Sequence, residues 1–185
     1  GASDFQWVVS NYNPDSLDAL KSGTKQAKSF TIIERGGVKI GVVGANTPET
    51  IEQVFPGNLD YTDASGAKKT ITINPGVTGI NQAIVDAKAA GADIVIALVH
   101  QGWQENADGV AKGVLNTMAA QIKGAAAIYG GHSHQTFASV IPGSPRVAPV
   151  VLGQTRNAGV EYTRTQICMK YGKVVGQSIE HVLKA

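Results

Sequence analysis

The stretch that decides the fold is residues 77–100, which read VTGINQAIVDAKAAGADIVIALVH. Apolar residues recur in its first part at the spacing of one helical face, which predicts an amphipathic helix over residues 77–92. The residues on that face are Ile80, Ile84 and Ala87. The unbroken apolar run at 93–99 predicts a strand that is covered on both faces, as strands of parallel sheets are. A helix followed by such a strand is typical of an α/β fold.

The same order of elements repeats downstream, with a predicted helix over residues 108–123 and a short buried strand at 126–129. The apolar stripe of this second helix is Val110, Val114, Met118 and Ile122. The outer parts of the chain are rich in short alternating runs, which predict further strands. These are a strand within 5–13, a hairpin within 29–48 that turns at Gly36-Gly37 and has its second strand at 38–43, and an antiparallel finish after residue 136. The sheet is therefore predicted to be mixed.

Composition limits the classes of function. The chain has 185 residues, 43% hydrophobic and 16% charged, which suits one ordered domain with a sizeable core. A formal charge of +2 from scattered Lys and Arg argues against binding of nucleic-acid polymers and against a polybasic membrane anchor. The longest apolar runs fall far below the ~20 residues that a membrane-spanning helix needs. The single cysteine, Cys168, excludes an internal disulfide framework.

Three of the four histidines follow the two buried strands: His100 directly after 93–99, and His132 and His134 just beyond 126–129. Ligands of α/β proteins gather at the carboxyl ends of strands, so neighbouring parallel strands would bring the three imidazoles to one edge. In an extended backbone, His132 and His134 would point to the same side, ~6–7 Å apart. Such a group suits Zn, Mn, Fe or Ni, although histidines after strands also serve as capping or surface residues.

Two other loop residues are candidates for substrate binding. Asn46 follows the strand at 38–43 and either lies near the metals or caps its loop. Trp103 either stacks on a nucleobase or covers the edge of a neighbouring loop. The sequence does not decide between these alternatives.

The histidine segments resemble a known family. IVIALVHQG (94–102) and AAIYGGHSHQTF (126–137) are similar to the second half of a calcineurin-like metallophosphoesterase domain, in the branch of 5'-nucleotidases and 2',3'-cyclic-nucleotide phosphodiesterases. The resemblance implies that residues 3–185 form the C-terminal half of an α/β/β/α sandwich. It implies that His100 and His132 hold one divalent ion of a dinuclear centre (Zn, Mn, Fe or similar) and that His134 holds the other. It further implies a nucleotide or other phosphomonoester substrate and a periplasmic or extracellular location.

The family's acidic motifs do not occur in this sequence. There is no Asp-x-His, and in the nearest match to Gly-Asn-His, GNLD at 57–60, Leu59 takes the place of the histidine. No catalytic residue is therefore expected in this chain, and the missing N-terminal half of the domain is the implied partner. The nearest acids, Glu105 and Asp108, are expected to face solvent or cap the second helix. Two alternatives stay open: a catalytically incomplete metal- or partner-binding module, and a mononuclear zinc hydrolase that uses the three histidines.

Overall fold

The computed structural model describes residues 5–17, 19–22, 25–104, 112–143 and 148–184. Its helices are α1 Pro14–Leu17, α2 Thr50–Gln53, α3 Gly76–Ala89 and α4 Val114–Gln121, with a 3-10 helix at Pro56–Leu59. Its strands are β1 Lys21–Ser22, β2 Lys25–Gln26, β3 Phe30–Arg35, β4 Val38–Ala45, β5 Asp60–Thr62, β6 Lys68–Thr70, β7 Ile94–Val99, β8 Ala127–Tyr129, β9 Phe137–Ile141, β10 Val150–Gln154, β11 Glu161–Lys170 and β12 Lys173–Leu183. Within these ranges, no helix has the length and apolar character needed to cross a bilayer.

A six-stranded mixed sheet organises the chain, with the strand order β3-β4-β7-β8-β10-β9. The four inner strands run parallel, and the two edge strands β3 and β9 run antiparallel to their neighbours. In the register of this sheet, Ala97 lies between Val43 and Ile128. The predicted α/β class with a mixed sheet is confirmed, and the two histidine-bearing strands β7 and β8 are adjacent and parallel.

Helix α3 covers one face of the sheet. Its predicted apolar face is confirmed, because Ile80, Ile84 and Ala87 are each at most 1% exposed. The helix packs on β3, β4 and β7. Gly41 of β4 faces it so closely that an added Cβ would lie 3.1 Å from the Cβ of Ala87. The core between helix and sheet therefore holds β4 and β7, the strands whose ends carry the candidate site.

The long hairpin of β11 and β12 covers part of the opposite face. The Tyr129 hydroxyl donates to Thr165 Oγ1 over 2.7 Å, and Ile179 packs on Gly153 of β10. The predicted antiparallel finish is therefore confirmed. The middle of this face is less covered, since Leu98 of β7 keeps 43% of its surface exposed.

The predicted strand within residues 5–13 is wrong. Over this segment the structure has isolated bridges only, from Val8 to Lys28 and from Tyr12 to Ile73. The physical reason is that the polar groups of this segment form isolated hydrogen bonds with the backbone of loops and strand ends, and not the continuous ladder of a strand. Ser10, for example, donates from both its N–H and its hydroxyl to the Gly44 carbonyl. The segment runs across the end of β4 and does not join the sheet.

The second helix is confirmed over part of its predicted range. Helix α4 covers Val114–Gln121, whereas residues 108–111 of the prediction, with Val110 of the predicted stripe, lie outside the described residues. The predicted stripe is partly wrong, because Val114 is 54% exposed. Leu115 is fully buried in its place, together with Met118 and Ile122. The buried face therefore keeps Met118 and Ile122 of the predicted stripe and has Leu115 in place of Val114.

Candidate metal centre

Two of the three predicted histidines lie together at the carboxyl edge of the sheet. His100 follows β7, and its N–H donates to the Ala45 carbonyl at 2.9 Å, which continues the ladder with β4. Gly131 donates to the Gln101 carbonyl at 3.0 Å, which ties the two histidine loops together. As a result, Nε2 of His100 lies 3.3 Å from Nδ1 of His132, with the two rings nearly perpendicular at 71°.

The backbone at His132 is a tight turn. Its φ is +71°, and the N–H of Ser133 donates to the Gly131 carbonyl at 2.8 Å, closing a three-residue turn of the γ type. His134 also has a positive φ, of +56°. The expectation that these histidines follow an extended backbone is therefore wrong. Positive φ costs free energy for a residue with a side chain, and such strain is concentrated at functional sites.

His134 makes no hydrogen bond or ring contact with either member of the pair, although its charge lowers the pKa of His100. It is exposed, and within the part of the chain that the structure describes it has no hydrogen-bond partner. No group of three or more His, Cys, Asp or Glu among the described residues is arranged to hold a metal ion. The structure therefore brings together a pair of imidazoles, not a trio. The two nearby acids singled out in the sequence, Glu105 and Asp108, lie outside the described residues.

The charge state of His100 is suited to binding a metal ion. Loss of hydration lowers the pKa of His100 below its ordinary value of 6.5, and the charges of His132 and His134 lower it further. The imidazole of His100 is therefore neutral at physiological pH. A neutral imidazole has a free lone pair on one ring nitrogen, which is what a metal ion requires.

A carboxylate that the sequence analysis missed completes this group. Glu49 Oε2 lies 3.0 Å from Nε2 of His132, on the side of the ring away from His100. Buried Thr47 anchors the loop that carries Glu49, because its hydroxyl oxygen accepts a hydrogen bond from Gln101 Nε2 at 2.9 Å. Glu49 follows β4, the neighbour of β7. The strand-end argument that singled out His100 would have found it.

A second set of missed residues locks the two histidine loops. Gln154 is buried. Its side-chain oxygen accepts from the backbone N–H of Trp103 at 2.9 Å, and its side-chain nitrogen donates to Ser133 Oγ at 2.9 Å. Ser133 in turn donates to the Trp103 carbonyl. Trp103 itself is fully buried and packs on Phe137, with ring centroids 5.0 Å apart. Of the two alternatives for Trp103, stacking on a nucleobase is not available in this structure, because its ring is part of the core.

Asn46 lies between the site and a pocket. Its side chain donates to the Tyr12 hydroxyl at 3.0 Å, and its backbone pairs with the side chain of buried Asn11. The pocket has a volume of about 750 Å³ and a mostly apolar lining, and its rim reaches His100 and Gly131. Asn46 is therefore a loop-capping residue that also borders open space beside the histidine pair.

Two comparisons by sequence show what this chain is similar to. The family model of the bacterial capsule synthesis protein PGA_cap matches residues 19–140. The trifunctional nucleotide phosphoesterase YfkN of Bacillus subtilis is 30% identical over 114 residues, which are 59% of this chain and 7% of that protein. The chain therefore spans a small part of this curated relative.

Solved structures show the same fold. A 5'-nucleotidase precursor from Thermus thermophilus matches with a TM-score of 0.70 and 19% identity, over 97% of this chain and 34% of that one. The calcineurin-like phosphoesterase YfkN from Bacillus subtilis matches with a TM-score of 0.62 and 21% identity, over 98% of this chain and 56% of that one. At these identities the matches confirm the fold that the resemblance implies.

Proposed function

Because this chain belongs to the family of the bacterial capsule synthesis protein PGA_cap, we propose that it is part of a metal-dependent phosphoester hydrolase of the 5'-nucleotidase type. In this proposal, residues 3–185 are the C-terminal half of the catalytic domain. The single observation that carries it is the pair of imidazoles, with ring nitrogens 3.3 Å apart at the ends of two adjacent parallel strands.

The spacing of this pair fits two ligands of one metal ion. Zinc binds imidazole nitrogen at about 2.0–2.1 Å in a tetrahedral arrangement, which places two ligand nitrogens about 3.3–3.4 Å apart. The nitrogens of His100 and His132 already have this separation. His134, on the same loop, is the proposed ligand of a second ion. Zn, Mn and Fe all accept such imidazole ligands.

The remaining ligands are proposed to come from another half of the domain. Two dications and a bridging hydroxide need negative charge, which neutral imidazoles do not supply. The apolar pocket beside His100 supports a packing partner of this kind, because it leaves Trp7 55% exposed and Leu98 43% exposed. Exposed apolar surface of this kind commonly marks an interaction site.

The proposed substrate is a nucleotide or another phosphomonoester. Support comes from the relatives, which are a nucleotide phosphoesterase and a 5'-nucleotidase precursor. Bound metals would polarise the phosphoryl oxygens and lower the pKa of the attacking water. His100 and His132 would hold one ion at the sheet edge, and Asn46 would border the space that the substrate enters. A periplasmic or extracellular location is part of this proposal.

A catalytically incomplete metal- or partner-binding module is the second candidate. It is favoured by the finding that, among the described residues, no three His, Cys, Asp or Glu side chains are arranged to hold a metal ion together. The same finding weighs against a mononuclear zinc hydrolase built from the three histidines, since His134 does not join the other two.

Metal analysis combined with a phosphatase assay tests the proposal. We expect the chain to bind Zn²⁺ or Mn²⁺, and we expect His132→Ala to lower metal occupancy, whereas His181→Ala on β12 serves as the matched control. Nitrophenyl phosphate and nucleoside monophosphates should be hydrolysed when the acidic half of the domain is supplied, and not by this chain alone. Metal-dependent turnover by the isolated chain would refute the division of the site, and unchanged metal content in His132→Ala would refute the metal centre.

A further inference from the structure

We propose that Glu49 is a positioning residue that fixes the tautomer of His132, so that Nδ1 of this ring is the nitrogen offered to a metal ion. This inference rests on the proposed function, because it concerns the same site. Glu49 does not contact the proposed ion and acts only through the histidine.

The contact itself determines the tautomer. A carboxylate only accepts hydrogen bonds, so the Nε2 of His132 that faces Glu49 Oε2 at 3.0 Å must carry a proton. In a neutral imidazole the other nitrogen is then bare. That nitrogen is Nδ1, and it lies 3.3 Å from Nε2 of His100. In the absence of metal, Nδ1 of His132 accepts a hydrogen bond from His100. For a metal ion to bind here, His100 would move its proton from Nε2 to its own Nδ1 by exchange with solvent, which frees the Nε2 lone pair. The lone pair of Nδ1 of His132 is already directed toward the shared site.

The backbone holds both partners in place. His132 sits in the three-residue turn at φ +71°, which aims its ring back toward His100. Glu49 is the N-cap residue directly before α2, and its N–H donates to Thr47 Oγ1 at 3.3 Å. Thr47 is fully buried and is bonded to Gln101, the residue after His100. The carboxylate and the ring that it orients are therefore anchored to the same strand end.

Folding stability alone does not explain this pair. The Glu49 side chain is 54% exposed and that of His132 is 28% exposed, and ion pairs at such positions contribute little to the free energy of folding. Histidines that bind metals, in contrast, regularly donate their second ring N–H to a carboxylate, which sets their orientation and their basicity.

Two measurements on this chain test the inference. The first is a two-bond ¹H–¹⁵N correlation of the imidazoles in metal-free protein at about pH 8.5, well above the ordinary histidine value of about 6.5. We expect the Nε2–H form for His132, and a mixture of both tautomers in Glu49→Ala. The second is the affinity for Zn²⁺, measured by competition with a chelating dye. We expect a loss of about 10- to 100-fold in Glu49→Ala.

The matched control is Glu52→Ala, which removes an exposed acid from the same short helix and should change neither the tautomer nor the affinity. An Nδ1–H form at His132 in the wild-type chain overturns the inference, as does a Glu49→Ala variant in which either the tautomer or the Zn²⁺ affinity is unchanged. These outcomes leave the metal proposal standing. A His132→Ala variant that binds Zn²⁺ as tightly as the wild type overturns the metal proposal itself, so the two failures are distinguishable.

Discussion

Replacing Gln154 with leucine tests whether one buried amide holds the two histidine loops together. Gln154 is 2% exposed, accepts from the Trp103 N–H and donates to Ser133 Oγ, both at 2.9 Å. Leucine has a similar volume but no polar atoms. The substitution therefore removes both hydrogen bonds with little change in packing.

The magnitude follows from what remains after the substitution. Trp103 is fully buried, so its backbone N–H would lose its partner and could not bond to water instead. An unsatisfied buried donor costs about 1–3 kcal/mol. Ser133 keeps its own bond to the Trp103 carbonyl, so its loss is smaller. We expect the free energy of unfolding to fall by about 2 kcal/mol, a factor of roughly 30 in the folding equilibrium. The melting temperature should fall by about 4–8 °C.

Urea and thermal unfolding, followed by circular dichroism, measure this loss, and Gln121→Leu is the matched control. Gln121 is exposed on α4 and donates to the Thr117 carbonyl of its own helix, so its replacement should change stability by less than about 0.5 kcal/mol. A double-mutant cycle with Ser133→Ala should give a coupling of about 0.5 kcal/mol or more, since the two side chains are in contact. If Gln154→Leu behaves like Gln121→Leu, the proposed link between the loops is refuted.

Three further predictions concern the framework of the site. Gly130→Ala should lower the free energy of unfolding by about 1–3 kcal/mol, because the added methyl would collide with neighbouring side chain and backbone atoms. Gly176→Ala, whose nearest neighbour would be 3.8 Å away, should be nearly neutral, and equal losses would contradict the reasoning. Trp103→Ala should cost about 3–5 kcal/mol in chemical denaturation, whereas 55%-exposed Trp7 should tolerate alanine; the reverse order would show that Trp103 is not a core residue. Hydrogen bonds, chiefly from the Thr136 hydroxyl, hold the pKa of Glu161 below 4.5. The stability that Glu161 contributes is therefore present above pH 4.5 and lost as pH falls through its folded-state pKa; acid titration of stability in Glu161→Gln should lack this loss, and parallel curves would refute it.

Local patterns were sufficient for the elements that carry the site. The helix face of Ile80, Ile84 and Ala87 was predictable because apolar residues at helical spacing can be buried together in few other ways. The hairpin turn at Gly36-Gly37 was predictable as well, and both residues have positive φ. The strand expected at 5–13 failed for a tertiary reason. Its polar residues bond to the ends of other elements, and no local pattern reveals that.

By itself, the sequence determined the order of helices and strands and the position of His100 and His132 just beyond two buried strands, because hydrophobic periodicity is a local property. Only the tertiary structure decided which side chains meet there. Glu49 reaches His132 across 83 residues of chain, and Gln154 joins the two histidine loops, because strand register brings the ends of β4, β7, β8 and β10 to one edge. The positive φ angles at His132 and His134 break the alternation that an extended strand would have kept, and the two rings that meet are those of His100 and His132.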